Sequence, residues 1–206
     1  KGLVRLVTFT RLSYEDETHV ADVKVPSVQG LEDAGLEKSL NEKYLKESSE
    51  LYAAFVERIG KREVTPEALA LFTNYKVKTE KDDLFVVESI VTKVGASAAE
   101  SVRYDNIDLK NQVIITLPSL FKNDDYLGVI TAEIKSQMRR LANRDEGIIY
   151  FIKGEAGSDW GFVKILPEQT FYINSDSKLV IVFDEYAVAP GSMGIVEFVI
   201  PTDTIR

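Results

Sequence analysis

Between residues 33 and 59 the chain has a period that only an amphipathic helix satisfies. Leu36, Leu40, Tyr44, Leu51, Phe55 and Ile59 recur at helical intervals along one face, and Gly60 stands where a helix stops. The opposite face carries Glu37, Lys38, Glu42, Lys43, Lys46 and Glu47, which predicts a solvated surface. Such a helix cannot bury its stripe alone, so the rest of the chain must supply a partner surface.

That surface is a set of strands. Residues 3–10, and the run holding Val20, Val23 and Val25, predict two opening strands before Pro26 and Gly30 break the pattern. Thr65-Pro66-Glu67 reads as a cap with a first-turn proline, predicting a short helix over 67–72. Runs 74–79, 84–94 and 100–109 are rich in strand formers and are separated by Asp82-Asp83 and Gly95-Ala96-Ser97, predicting an antiparallel meander. A further strand over 112–117 ends at Pro118. Asn123-Asp124-Asp125 opens a second helix over 124–143, with Ile130, Ile134, Met138 and Leu141 as its apolar stripe. Arg139, Arg140 and Arg144 complement the negative end of its dipole. Short strands are predicted at 148–152, 161–165, 170–174, 179–183 and 195–200. Strands and helices come in blocks, which argues an α+β fold of mainly antiparallel sheets with two principal amphipathic helices packed against them. With 206 residues, folding buries roughly 70% of the unfolded surface, in two expected subdomains, 1–110 and 111–206.

Catalytic and metal chemistry find little support. There is no cysteine, which excludes disulfides, thiolate metal sites and cysteine nucleophiles. The one histidine, His19, lies in a polar turn before a strand and reads as a surface residue rather than a triad member or metal ligand. Asn174-Ser175-Asp176-Ser177, with Glu185 twelfth in line, imitates a calcium loop, but Lys178 falls on a ligand position and Leu179 where the sharp turn needs glycine. It reads as a hairpin turn. Gly154, Gly157 and Gly161 are too loosely spaced, and too close to Glu155 and Asp159, to cradle phosphate. No cofactor or metal is expected. A hydrolase using paired acids needs two carboxylates facing each other in a cleft, which one sequence cannot display.

Acidic residues outnumber basic ones by 33 to 25, giving a net charge of −8, which disfavours nucleic acid and favours a basic partner steered in by long-range attraction. The chain starts at Lys1 and holds no apolar run long enough to cross a bilayer, so it reads as an excised soluble segment whose anchor lies elsewhere.

Several segments together resemble a known family. Val23-Lys24-Val25-Pro26 with Gly30-Leu31 and Leu40-Asn41, then Tyr104-Asp105-Asn106-Ile107-Asp108-Leu109, then Leu117-Pro118-Ser119-Leu120-Phe121, are similar to the paired domains of the anti-sigma-V type of bacterial anti-sigma factor. The most specific part is Phe171-Tyr172-Ile173-Asn174, the run of residues 179–194 ending Asp184-Glu185-Tyr186-Ala187-Val188-Ala189-Pro190-Gly191-Ser192-Met193-Gly194, and Glu197-Phe198-Val199-Ile200-Pro201. The resemblance implies an α+β ectodomain held outside the membrane by one transmembrane helix, with a cytoplasmic sigma-factor-binding segment beyond this chain. It further implies a receptor for lysozyme, a basic protein, whose binding exposes the regulator to proteolysis. Relatives commonly carry a Gly-Gly-Ala-His type loop where this chain has Val94-Gly95-Ala96-Ser97-Ala98. A second reading is an envelope accessory domain that binds peptidoglycan or supports a polysaccharide deacetylase.

The residues expected to meet a protein partner are Tyr186, Pro190 and Met193 beside the C-terminal turn, since Tyr and Met are favoured at interfaces. Ser97, in the loop that departs from the family, and Trp160, the sole tryptophan, complete the set.

Overall fold

The computed structural model describes residues 3–61, 69–155 and 157–206. The helix α1 (Ala34–Gly60) forms where the apolar stripe predicts it. Asp33 caps it, accepting from the Leu36 N–H at 3.0 Å. Leu40 and Tyr44 are buried and Leu36, Leu51 and Phe55 half-buried. Two residues of its polar face do more than meet solvent. Glu37 turns back to accept from the N–H groups of Gly30 and Leu31, and Lys43 reaches the buried Asp105 at 2.8 Å.

Two long strands, β1 (Arg5–Glu15) and β2 (His19–Gln29), pair antiparallel. The helix then carries the chain across to β3 (Leu69–Lys81), which lies parallel to β2. β3, β4 (Leu84–Val94) and β5 (Ala98–Asp108) form the expected antiparallel meander, and β6 (Val113–Ile115) pairs with the end of β5. The six strands stand in sequence order. The helix expected over 67–72 is corrected over residues 69–72: Leu69 and Leu71 are buried in the opening residues of β3, locked by pairing with His19 and Ala21. Tertiary pairing overrides the local cap signal there, while Thr65, Pro66 and Glu67 lie outside the described residues. The strand expected over 112–117 shrinks to Val113–Ile115 because Gln112 takes a positive φ and Pro118 opens a 3-10 turn.

The second helix, α2 (Asp125–Arg144), buries Ile130, Ile134 and Met138 against a second sheet of β7 (Phe171–Ile173), β8 (Leu179–Phe183) and β9 (Val196–Ile200). The strands expected at 148–152 and 161–165 are also corrected: they reduce to one parallel bridge, Ile152 to Phe162, although Ile152, Phe162 and Ile165 still enter the core. Gly154, Gly157 and Gly161 all adopt positive φ between them, which breaks the pleat.

The result is four layers: α1, the six-stranded sheet, the three-stranded sheet, α2. β8 is buried throughout because it faces both ways. Leu179, Ile181 and Phe183 meet α2, whereas Val180 and Val182 pack with Val86, Val102 and Tyr172 between the sheets.

The run Tyr104–Leu109 shows how one strand joins three layers. Asp105, on the α1 side, accepts from Tyr44 and Lys43, each at 2.8 Å. Asn106, 1% exposed, faces the other sheet, donating to Phe171 O and accepting from Ile173 N. Tyr104 packs its ring on Tyr172 at 4.7 Å. Asp108 closes the strand by accepting from the N–H groups of Lys110 and Asn111. Among the described residues no helix is long and apolar enough to cross a membrane.

Candidate partner interface

The segment 184–194 leaves β8 and returns to β9, and its shape follows from what its side chains hold. β5 pairs with β6 only over its last residues, so on that edge the outward N–H groups nearer its start lack a neighbouring strand. Asp184 accepts from the Val102 N–H and Glu185 from the Glu100 N–H, each at 2.9 Å. Two carboxylates therefore cap the bare edge and fix the loop to the end of the six-stranded sheet. Val188 and Ala189 anchor it from below, both buried.

Tyr186 stands between these supports. It takes a φ of 70° and remains 50% exposed. Its ring lies across Gly191: a Cβ at that position would sit 2.2 Å from a ring carbon, so any side chain there would displace the ring. Pro190 leads into the 3-10 turn Gly191–Met193, closed by Met193 N–H to Pro190 O at 3.0 Å. Pro190 is half-buried, and Met193 packs against the core. Of the three loop residues expected to meet a partner, Tyr186 is the one that projects.

Ser97 is exposed in the β4–β5 turn, where Gly95 N–H donates to Ser97 O. The Glu100 to Glu185 bond ties that end of the sheet to the Tyr186 loop. On the other side, Phe151 N–H donates to Val188 O at 2.7 Å, and the Phe151 ring meets Trp160 at 4.5 Å between centroids. Trp160 is 58% exposed. It does not fold into the core. With Ile149, Tyr150 and Met138 it lines a cleft of about 750 Å³, rimmed by the Arg139–Glu155 ion pair. Arg139 holds the Glu155 carboxyl below its usual range. The segments 95–100, 149–155 with 157–163, and 184–194 are thus joined by hydrogen bonds and carry Ser97, Trp160 and Tyr186. Ile149 and Val163, exposed on the middle segment, were hidden from sequence reasoning because that segment read as strands. Asp184 and Glu185 were missed as anchors because their partners lie more than eighty residues away.

Other candidate chemistry is accounted for locally. His19 is only half-buried, its Nδ1 2.8 Å from Asp16 Oδ1 and 2.9 Å from the Thr18 hydroxyl. Residues 174–178 do form the hairpin turn joining β7 to β8, with Asn174 N–H donating to Lys178 O. Glu88 and Glu197 both approach Lys78, at 3.4 and 3.9 Å. Tyr172 also donates to Glu197 at 2.9 Å, and Lys76 approaches Glu88 at 3.7 Å. This is a neutralised cluster between the sheets, with Glu88 buried. Among the described residues no group of three or more acidic or histidine side chains is placed to hold a metal ion.

Comparison with known proteins gives a consistent picture. Residues 118–203 match the family model described as a protein of unknown function, DUF3298. Over 203 residues, 98% of this chain and 70% of the relative, the chain is 42% identical to the anti-sigma-V factor RsiV of Bacillus subtilis (strain 168). Two crystal structures share the fold. A DUF3298 family protein from Pseudomonas aeruginosa PAO1 superimposes with a TM-score of 0.64 at 16% identity, over 98% of this chain and 93% of that one. A DUF3298 member from Bacteroides fragilis gives 0.60 at 17% identity, over 98% and 92%.

Proposed function

The chain belongs to the anti-sigma-V factor family, and from that membership we propose that it is the extracytoplasmic ligand-sensing region of a membrane-anchored regulator, binding a basic, cell-wall-directed protein such as lysozyme. The role is regulatory rather than catalytic. The observation that carries it is the pair of projecting aromatics, Tyr186 and Trp160, set on buried supports at one joined face of a chain whose net charge is −8. Rigid aromatics with a polar tip are the anchors that interfaces favour, and the acidic field draws a basic protein toward them.

In this reading, docking on that face makes the regulator susceptible to proteolysis, and the sigma factor is released. Sigma binding belongs to a segment beyond this chain, as does the membrane anchor; the chain spans 70% of its relative. The partner contacts are Ser97, Tyr186 and Trp160, with Pro190 and Met193 shaping the loop beneath Tyr186.

Calorimetric titration with a basic lysozyme at low and at moderate salt tests the reading. Binding is expected at both, weaker at the higher salt as screening shortens the attraction. No heat of binding at either salt contradicts lysozyme as the ligand.

A further inference from the structure

Beneath the C-terminal half of α1 the six-stranded sheet changes character. On the face toward the helix, Phe85 and Val87 of β4 and Ile107 of β5 are buried with Leu40 and Tyr44. Farther along the same face stand Ser89 and Lys93 of β4 and Ser101 and Arg103 of β5. Because α1 packs chiefly on β2, this polar stretch is left uncovered, and a groove of about 520 Å³ remains between the helix and strands β3 to β5.

The groove gathers binding capacity that the fold does not use. Lys93 and Arg103 stand on its sheet wall, and among the described residues neither has a carboxylate within ion-pair reach. Among the described residues the hydroxyls of Ser48, Ser89 and Ser101 likewise have no protein hydrogen-bond partner. In a chain with 33 acidic residues, two unpaired cations side by side on one wall of a concavity mark a place where a single negative charge is welcome. The opposite wall, on α1, holds Glu47 and Glu50 together with the apolar Leu51 and Ala54. A polyanion would run against those two acids. A short ligand with one carboxylate and several hydroxyls would not: its charge faces the cations, its hydroxyls face the serines and the two glutamates, and the CH face of a ring lies along the apolar wall.

We propose that this groove binds a short acidic saccharide, a uronate-bearing disaccharide in size and charge. Its volume falls within the roughly 300–1,000 Å³ typical of small-ligand sites. The groove lies on the α1 side of the six-stranded sheet, whereas the second sheet covers the other side, so the proposal does not rest on the partner interface.

The test is calorimetry at low salt with three probes: an aldobiouronic acid, lactose as the neutral disaccharide, and inorganic phosphate. The uronate binds, and lactose and phosphate bind at least about tenfold more weakly. Arg103→Gln and Lys93→Gln each weaken the uronate about tenfold or more, the loss expected for one charge-assisted hydrogen bond. Ser89→Val, which fills the floor, abolishes binding, while Tyr186→Ala leaves it unchanged. Unaltered urea midpoints confirm that the variants are folded. The proposal is overturned if the uronate fails to bind, if lactose or phosphate binds as well as the uronate, or if Arg103→Gln and Lys93→Gln bind like the parent chain.

Discussion

Tyr186 concentrates the account in one side chain. A non-glycine residue at a φ of 70° holds a backbone conformation costing about 1 kcal/mol or more, and such strain persists where surrounding contacts over-determine it. Here the contacts are Asp184 and Glu185 on one side and Gly191 beneath the ring. Tyr186→Ala is expected to weaken lysozyme binding by about 30-fold or more, the loss typical of an aromatic hot spot, while moving stability by only about 0.5 kcal/mol. Paired calorimetry and urea denaturation separate the two effects. Asn106 is the opposite case, a buried side chain whose loss costs stability. Asn106→Ala leaves the β7 groups Phe171 O and Ile173 N without their partner, and the expected cost in urea denaturation is about 2–4 kcal/mol. The sequence offered Tyr186 as a partner candidate, but neither the Asp184 and Glu185 bonds that hold it nor the role of Asn106 was legible, since these depend on partners dozens of residues away. The hairpin turn at 174–178 was legible, because Asn, Ser and Asp act on their own backbone.

Three phenols give a pH prediction at the same scale. Burial first, then a neighbouring carboxylate, raises the hydroxyl pKa of Tyr44 and Tyr104 well above the ordinary 10.0, and Tyr172 follows through burial and its bond to Glu197. A group whose pKa is raised on folding lends stability that is intact below the unfolded value and lost as pH climbs past it. Stability should therefore hold up to about pH 10 and fall above it. Absorbance titration at 295 nm should show these phenols ionising only as the fold is lost. Their ionisation alongside the remaining tyrosines in a folded chain would contradict the burial described.

Among elements, the two helices were readable because a 3.6-residue stripe survives any tertiary context. The strands of the meander were readable for the matching reason, β-branched alternation bounded by Asp82-Asp83 and Gly95-Ala96-Ser97. What escaped was residues 69–72, whose period of two was too short to outweigh a cap signal, and the segment 148–165, whose apolar residues reach the core without pairing into a sheet. The carboxylates that cap the β5 edge yield a direct test. In Asp184→Ala the Val102 N–H loses its acceptor, so its hydrogen exchange should accelerate by about tenfold or more while Ile107, inside the paired region, stays protected. Equal exchange at Val102 in both chains would show that the loop is not held by that bond.

For the whole molecule, the α+β assignment and the acidic charge were accessible from composition and pattern, but the stacking of two sheets was not. It is created by long-range contacts such as Val86 and Val102 against Tyr172, Val180 and Val182. We propose that 1–110 and 111–206 are two subdomains sealed by that apolar seam and by the Lys78, Glu88 and Glu197 cluster. Urea unfolding should then follow one transition by both tryptophan fluorescence, which reports Trp160, and far-ultraviolet circular dichroism; two separated midpoints would show that the seam does not couple them.

In the proposed function, the face carrying Ser97, Trp160 and Tyr186 is where a basic protein docks. Hydrogen–deuterium exchange of the chain with and without lysozyme reads this directly. Protection is expected in 95–100, 149–155, 157–163 and 184–194, with α1 unchanged, and a footprint on α1 or none on these segments would contradict it.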